Sequence, residues 1–304
     1  MNDWRPTSGA DVARRRAGLL ERARTYFAEN DILAVDTPAF SNYASVDAHI
    51  ASFSVHAGDA FAGHLHTSPE VRMKRLIAAG YPDIYSICRV FRAGESGAQH
   101  ALEFTMAEWY RLGFGLQQIV DDTIGFIAAC LDLPRLARNT TTVEYTDIVR
   151  AHAGIDPVDA PTAEIVDIAT DDAKLRECLD RDAALDLIVS TLVVPQFAPD
   201  RLTVVRHYPA SQAALARPSK DDERVADRFE VYCGELELAN GYVELTDPDR
   251  QAQRLGEHCD LSLIAALRFG LPECAGVSVG IERLQMVLDQ ADHIRDVMTF
   301  IPDY

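Results

Sequence analysis

The sequence has no apolar run approaching the ~20 residues of a bilayer-spanning helix. Nor does Met1-Asn2-Asp3-Trp4-Arg5-Pro6 contain the apolar stretch of a secretion signal. Its six cysteines (Cys88, Cys130, Cys178, Cys233, Cys259 and Cys274) never come closer than fifteen residues. Without a CxxC pair, neither a thiolate metal site nor a disulfide framework is indicated. Reduced thiols are then the default. Positive charge is scarce: 29 Lys and Arg stand against 47 Asp and Glu, a net charge of −18. A nucleic-acid footprint needs a basic surface to displace counterions, so this balance argues against one. No repeat, low-complexity tract or clear linker divides the chain. The expectation is a cytoplasmic globular protein of 304 residues, long enough to bury a core without staples.

What is present begins with Asp11 to Asn30. Leu20, Ala23 and Phe27 recur at helical spacing there, with Ser8 or Asp11 as candidate caps. Ile32 to Val35 reads as a strand, closed by Pro38. Ser68-Pro69-Glu70 opens a second helix as N-cap, first helical residue and first-turn acid. Ile84 to Phe91 and Glu103 to Leu112 read as strands. The eleven residues between them, with Gly94 and Gly97, exceed a hairpin turn and point to a ligand-holding loop. Period-two geometry sets Phe104, Met106, Glu108 and Tyr110 on one face.

Gln117 to Leu131 and Arg181 to Val194 look helical, 202 to 207 looks like a strand, and about 134–200 reads as a helical insertion. Further on, Asn240-Gly241 is a hairpin or bulge signal between Glu237 and Glu244. On a flat strand those two carboxylates face opposite sides; a bulge at Asn240-Gly241 brings them to one side, where they suit Mg²⁺ or an ammonium group. Gly276 to Ile281 reads as a strand leading into a helix with Arg283 in its first turn. The helix dipole disfavours a cation there, so the arginine points to work on an anion.

These stretches, in this order, resemble the three signature motifs of class II aminoacyl-tRNA synthetases, and of their lysine branch in particular. His66-Thr67-Ser68-Pro69-Glu70, Phe91-Arg92, Glu103 to Met106, Glu108-Trp109-Tyr110, Glu237 to Gly241 and Gly280 to Leu284 carry the likeness. It covers the chain from about residue 14 to the end and is weakest over about 134–200. The lysyl enzymes carry an anticodon-binding domain before their first motif. Here that motif begins at about residue 11, which leaves no room for one. A stand-alone catalytic domain of this length resembles the elongation factor P–lysine ligase family. That resemblance implies a single 1–304 α+β domain: an antiparallel sheet of six or seven strands flanked by helices, with a homodimer built on the first motif. It implies ATP and Mg²⁺, adenylation of (R)-β-lysine or lysine, transfer to a lysine of elongation factor P, and no tRNA or membrane partner.

The roles implied by the resemblance fall on matching positions. Arg92 binds the α-phosphate, and Ala93, Gly94 and Glu95 follow it in the nucleotide loop. Phe104 stacks on adenine, His100 lies near the phosphates, and Arg283 reaches the γ-phosphate. Leu238 and Gly280 border the nucleotide. Arg92, Glu237 and Arg283 are the catalytic set, and Glu237 and Glu244 the metal carboxylates. Ser68, Pro69, Glu70, Glu108, Tyr110, Glu244 and Ser278 bind the amino acid, with Glu108 and Tyr110 at its distal ammonium. The sequence departs from the lysyl pattern in four places: Gly94 replaces a glutamate, Ala101 an asparagine, Glu282 an aspartate and Ser278 a glycine. The shift of glutamate to Glu95 puts the adenine reader one residue later. A non-catalytic regulatory paralogue predicts erosion of Arg92, Glu237, Glu244 or Arg283, and all four are present. An asparagine-synthetase-like paralogue needs a basic group where Glu108-Trp109-Tyr110 stands.

Overall fold

The computed structural model describes residues 4–46 and 50–301; the remaining residues, including both ends of the expected 1–304 domain, lie outside that description. Helix α1 (Ala10–Glu29) leads to β1 (Leu33–Ala34). Strands β2 (Phe40–Ser41), β3 (Ser54–Ala57) and β4 (Ala60–Leu65) form a small separate sheet. Next come α2 (Glu70–Ala78), β5 (Ile84–Phe91), β6 (Glu103–Leu112) and α3 (Leu116–Leu131). The middle of the chain holds α4 (Pro134–Arg138), β7 (Thr140–Glu144), α5 (Tyr145–Ala153), α6 (Thr162–Ala169), α7 (Ala173–Cys178) and α8 (Arg181–Ile188). A π-helical turn, Val189–Val193, continues α8. The last third holds β8 (Leu202–Arg206), β9 (Arg228–Cys233), β10 (Leu236–Val243), α9 (Pro248–Leu255), α10 (Leu261–Gly270), β11 (Cys274–Gly280) and α11 (Ile281–Asp289).

The main sheet runs β1-β5-β6-β11-β10-β9-β8-β7. It has eight strands rather than six or seven. Its centre is antiparallel, but β1 pairs parallel with β5, and β7 parallel with β8. Parallel neighbours need long crossovers, and the chain between 34 and 84 and between 144 and 202 supplies them. So the stretch read as a helical insertion is helical except for β7, which extends the sheet.

Alternation along β6 decides what faces what. Ala107 and Trp109 point to the side covered by α1 and α3, where Phe126 lies 4.9 Å from Phe27 and 4.7 Å from Trp109 between ring centroids. Met106, Glu108 and Tyr110 point to the opposite side, toward α2 and an open cleft. Along α1 the buried stripe is Leu19, Ala23 and Phe27, with Leu20 half-buried. Neither Ser8 nor Asp11 caps it; Gly9 stands at the N-cap. Among the described residues, no helix is long and apolar enough to cross a membrane.

Asn240-Gly241 is not a turn. Both residues lie inside β10, and the hairpin from β9 turns at Gly234-Glu235, with Gly234 at φ +55°. Gly241 is there for close packing: a Cβ on it meets Phe229 Cε1 at 2.7 Å and Val277 Cβ at 2.8 Å. A bulge does exist, but between Glu237 and Ala239.

Candidate active site

The cleft face of β6, β10 and β11 opens into two adjoining cavities of about 670 and 540 Å³. Ser68, Glu70, Glu108, Tyr110, Tyr242, Glu244 and Gly276 line the first. Glu95, His100, Phe104, Glu237, Leu238, Gly280 and Arg283 line the second. Arg92, Met106, Arg228, Asn240 and Ser278 line both, so they mark the shared boundary.

The first cavity is built around carboxylates. Pro69 is the N-cap of α2, not its first residue, and the Ser68 hydroxyl accepts from Glu70 N at 3.0 Å. That places Ser68 Oγ to donate to Glu108 Oε2 at 2.7 Å, while Tyr110 OH donates to Oε1 at 3.0 Å. Burial, and then the nearby Glu70, push the Glu108 carboxyl up to about 8. One α-helical turn after Glu70, Lys74 Nζ lies 2.5 Å from both Glu70 Oε1 and Glu244 Oε2. Tyr242 OH also donates to Glu70 Oε1, at 2.5 Å. Burial alone pulls the Lys74 ammonium down, but Glu244 and Glu70 outweigh it and keep it charged. Gly276 makes room here, since a Cβ on it meets Tyr110 Cε1 at 2.5 Å and Glu244 Oε1 at 2.8 Å. Formally, this inner group of three carboxylates and one lysine carries −2, while the wider lining adds Asp182, Asp186 and Asp260 against Arg72, Arg75, Arg92, Arg228 and Arg254.

The second cavity is built around arginines. Arg283, in the first turn of α11, donates to Glu237 O at 2.8 Å and Glu237 Oε2 at 3.1 Å. It also donates to Gln99 O at 3.3 Å, and His100 Nε2 accepts from it at 2.8 Å. Burial, then this guanidinium, push His100 below its usual range. Arg92 lies over the Phe104 ring at 5.2 Å and 3.7 Å from Glu95. Its Nε is buried and has no hydrogen-bond partner among the described residues, and the residue lines both cavities. The Ala93 N–H donates to Ala51 O at 2.8 Å, and Gly94 takes φ +82° as the loop leaves the sheet. A Cβ on Gly280 meets nothing of the protein nearer than 3.9 Å, so only an occupant of the cavity requires glycine there. Glu282 faces inward, holding Thr105 N at 2.9 Å and Arg16 at 2.8 Å.

Most of the sequence-expected residues thus divide between the two cavities, with Arg92 and Ser278 at their border; Pro69, Ala93 and Gly94 line neither. The structure does not bring Glu237 and Glu244 to one point: the first pairs with Arg283, the second with Lys74. Among the described residues, no group of three or more His, Cys, Asp or Glu is arranged to hold a metal ion. Sequence reasoning missed Lys74, Tyr242, Asn240 and Arg228. The Glu70–Lys74 spacing of four signalled a helical pair. Asn240, Tyr242 and Glu244 share the period of two. Arg228 is fixed by Glu230, whose carboxylate also accepts from Tyr208 and Tyr232.

A sequence profile of the family described as tRNA synthetases class II (D, K and N) matches residues 2–303. Several relatives bear the name elongation factor P–(R)-β-lysine ligase. The one from Haemophilus ducreyi is 37% identical over 98% of this chain and 96% of its own length. That from Mannheimia succiniciproducens is 38% identical over 98% and 97%, and that from Haemophilus influenzae (strain Rd) is 35% identical over 100% and 98%. With its antiparallel sheet centre, its motif residues around one cleft and these full-length matches, the chain belongs to the class II tRNA synthetase family.

Proposed function

We propose that the protein is an ATP-dependent, AMP-forming ligase that adenylates (R)-β-lysine or lysine and transfers it to a lysine side chain of translation elongation factor P. One observation carries the substrate: the inner group of Glu70, Glu108, Glu244 and Lys74, of formal charge −2, lies in a cavity that Arg92 also lines. A lysine-type amino acid brings two ammonium groups to match that charge, and its carboxylate then falls at the arginine. Ammonium groups are costly to desolvate unless carboxylates receive them. Glu108 and Tyr110 receive the distal one; Glu70 and Glu244 face the reactive end. Ser278 Oγ donates to Asn240 O at 3.3 Å, which turns its hydroxyl onto the backbone and leaves its Cβ as the wall.

In the first step a carboxylate oxygen attacks the α-phosphorus of ATP, and the bond to the bridging pyrophosphate oxygen breaks. Both reactants are anions, so positioning and charge neutralisation supply the rate. Arg92, with its free Nε, holds the α-phosphate between the two cavities. Arg283 and His100 hold the terminal phosphates, Phe104 the adenine, and Gly280 lets the nucleotide lie against the backbone. Glu237, which lines the phosphate cavity, would hold Mg²⁺, and the ion would supply charge neutralisation on pyrophosphate. In the second step the neutral amine of the acceptor attacks the acyl carbon, AMP leaves, and the amine loses a proton.

The same reading makes the protein a cytoplasmic homodimer with no tRNA partner, in keeping with its net charge of −18. The test is amino-acid-dependent ATP–pyrophosphate exchange with (R)-β-lysine, α-lysine and aspartate in parallel, followed by transfer to purified elongation factor P. Exchange with a diamino acid and labelling of the factor are expected. Exchange with aspartate alone, or with none of the three, defeats the reading.

A further inference from the structure

Lys74 carries a role that the catalytic scheme does not use. Its side chain is 2% exposed, on the cleft side of α2, with both of its close anionic partners in the amino-acid cavity. It engages one oxygen of each, Glu70 Oε1 and Glu244 Oε2. Glu108, the third carboxylate, is served instead by the hydroxyls of Ser68 and Tyr110. The cavity therefore sorts its anions: two share a resident cation and one does not. Without that cation, three buried carboxylates would face two substrate ammonium groups and repel one another. With it, three anions meet three cations.

We propose that Lys74 is a positioning residue that sets the charge of the inner group of three carboxylates and so fits it to substrates bearing two ammonium groups. This rests on the ligase reading for the identity of the substrate. Lys74 acts through Glu70 and Glu244 and does not touch the reacting atoms. Losing it frees Glu244, whose side chain is fully buried, from the one cation paired with it among the described residues and lets the anchor for the reactive-end ammonium drift.

Two variants separate charge from packing. Lys74→Met keeps most of the volume and shifts the cavity by one unit of negative charge. Lys74→Arg keeps the charge and changes the shape. Binding of (R)-β-lysine by calorimetry and the KM and kcat of pyrophosphate exchange are read for each. Lys74→Met is expected to raise Kd and KM at least about tenfold, with kcat changing less. Lys74→Arg is expected to recover at least half of that loss on a logarithmic scale. Lys74→Met within about twofold of wild type overturns the proposal, as does Lys74→Arg no better than Lys74→Met. If Lys74→Met does not fold, Lys74→Arg decides: binding within about tenfold of wild type supports the charge role, and none overturns it. Wild type that binds the diamino acid without exchange defeats the ligase reading alone; wild type that does not bind it defeats both.

Discussion

Glu108 shows how one side chain ties burial to substrate choice. With its carboxyl pushed up to about 8, it is mostly protonated at neutral pH before substrate arrives. An ammonium group binds the anion, so binding must expel that proton, and the cost shrinks as pH rises. The KM for a diamino acid is expected to fall by up to about tenfold per unit between pH 6.5 and 8 and to level off above. Glu108→Gln is expected to raise KM and flatten the profile; a wild-type profile already flat in that window would remove this role. Gly276 is a second case. Gly276→Ala forces Tyr110 and Glu244 aside, and is expected to destabilise the protein by about 1–3 kcal/mol and raise the amino-acid KM. Thermal denaturation and exchange kinetics check both effects. Glu108 and Tyr110 were legible in the sequence because period two placed them together. Lys74 was not, since a lysine four residues after a glutamate on a helix has the pattern of an ordinary surface pair. Its burial depends on Glu244, far along the chain.

Among the elements, β5 and β6 were read with their full lengths because both are long, apolar on one side and bounded by a glycine-bearing loop. β10 was read with the wrong irregularity. Asn-Gly between strand-like runs has the signature of a turn, but cross-strand packing overrides local preference here. Gly241 sits opposite Phe229 and Val277 on its two neighbours, and both side chains fill the space where its own would be. Gly241→Ala is therefore expected to lower stability by about 1–3 kcal/mol through overpacking, read as a drop in Tm. A mere turn residue in an Asn-Gly hairpin would instead show its effect through backbone strain, yet Gly241 carries no positive φ. β2, β3 and β4 went unread because they are short and mostly exposed, with little apolar alternation to report them.

At the level of the whole molecule, the first motif predicts assembly. Leu33 on β1 is 46% exposed and Phe40 just beyond Pro38 is 42% exposed, apolar surface at the sheet end where the homodimer is expected. Sedimentation at micromolar concentration is expected to give a two-chain mass; a monomer would remove this expectation. The order of the motifs made the overall architecture legible; of the two outer strands, β1 was read as Ile32 to Val35 while β7 was not foreseen. Their parallel pairing shapes how the chain folds. Leu33 must find Ile84, and Thr140 must find Leu202, across long intervening segments, and at the antiparallel centre Leu112 must find Cys274 across a still longer one. Loop closure over such spans is slow, and its entropy is lost before any contact repays it. The joint between β6 and β11 is therefore the last part to settle during refolding, and the margins of the sheet, each held by a single neighbouring strand, are the first to exchange their amide hydrogens with solvent.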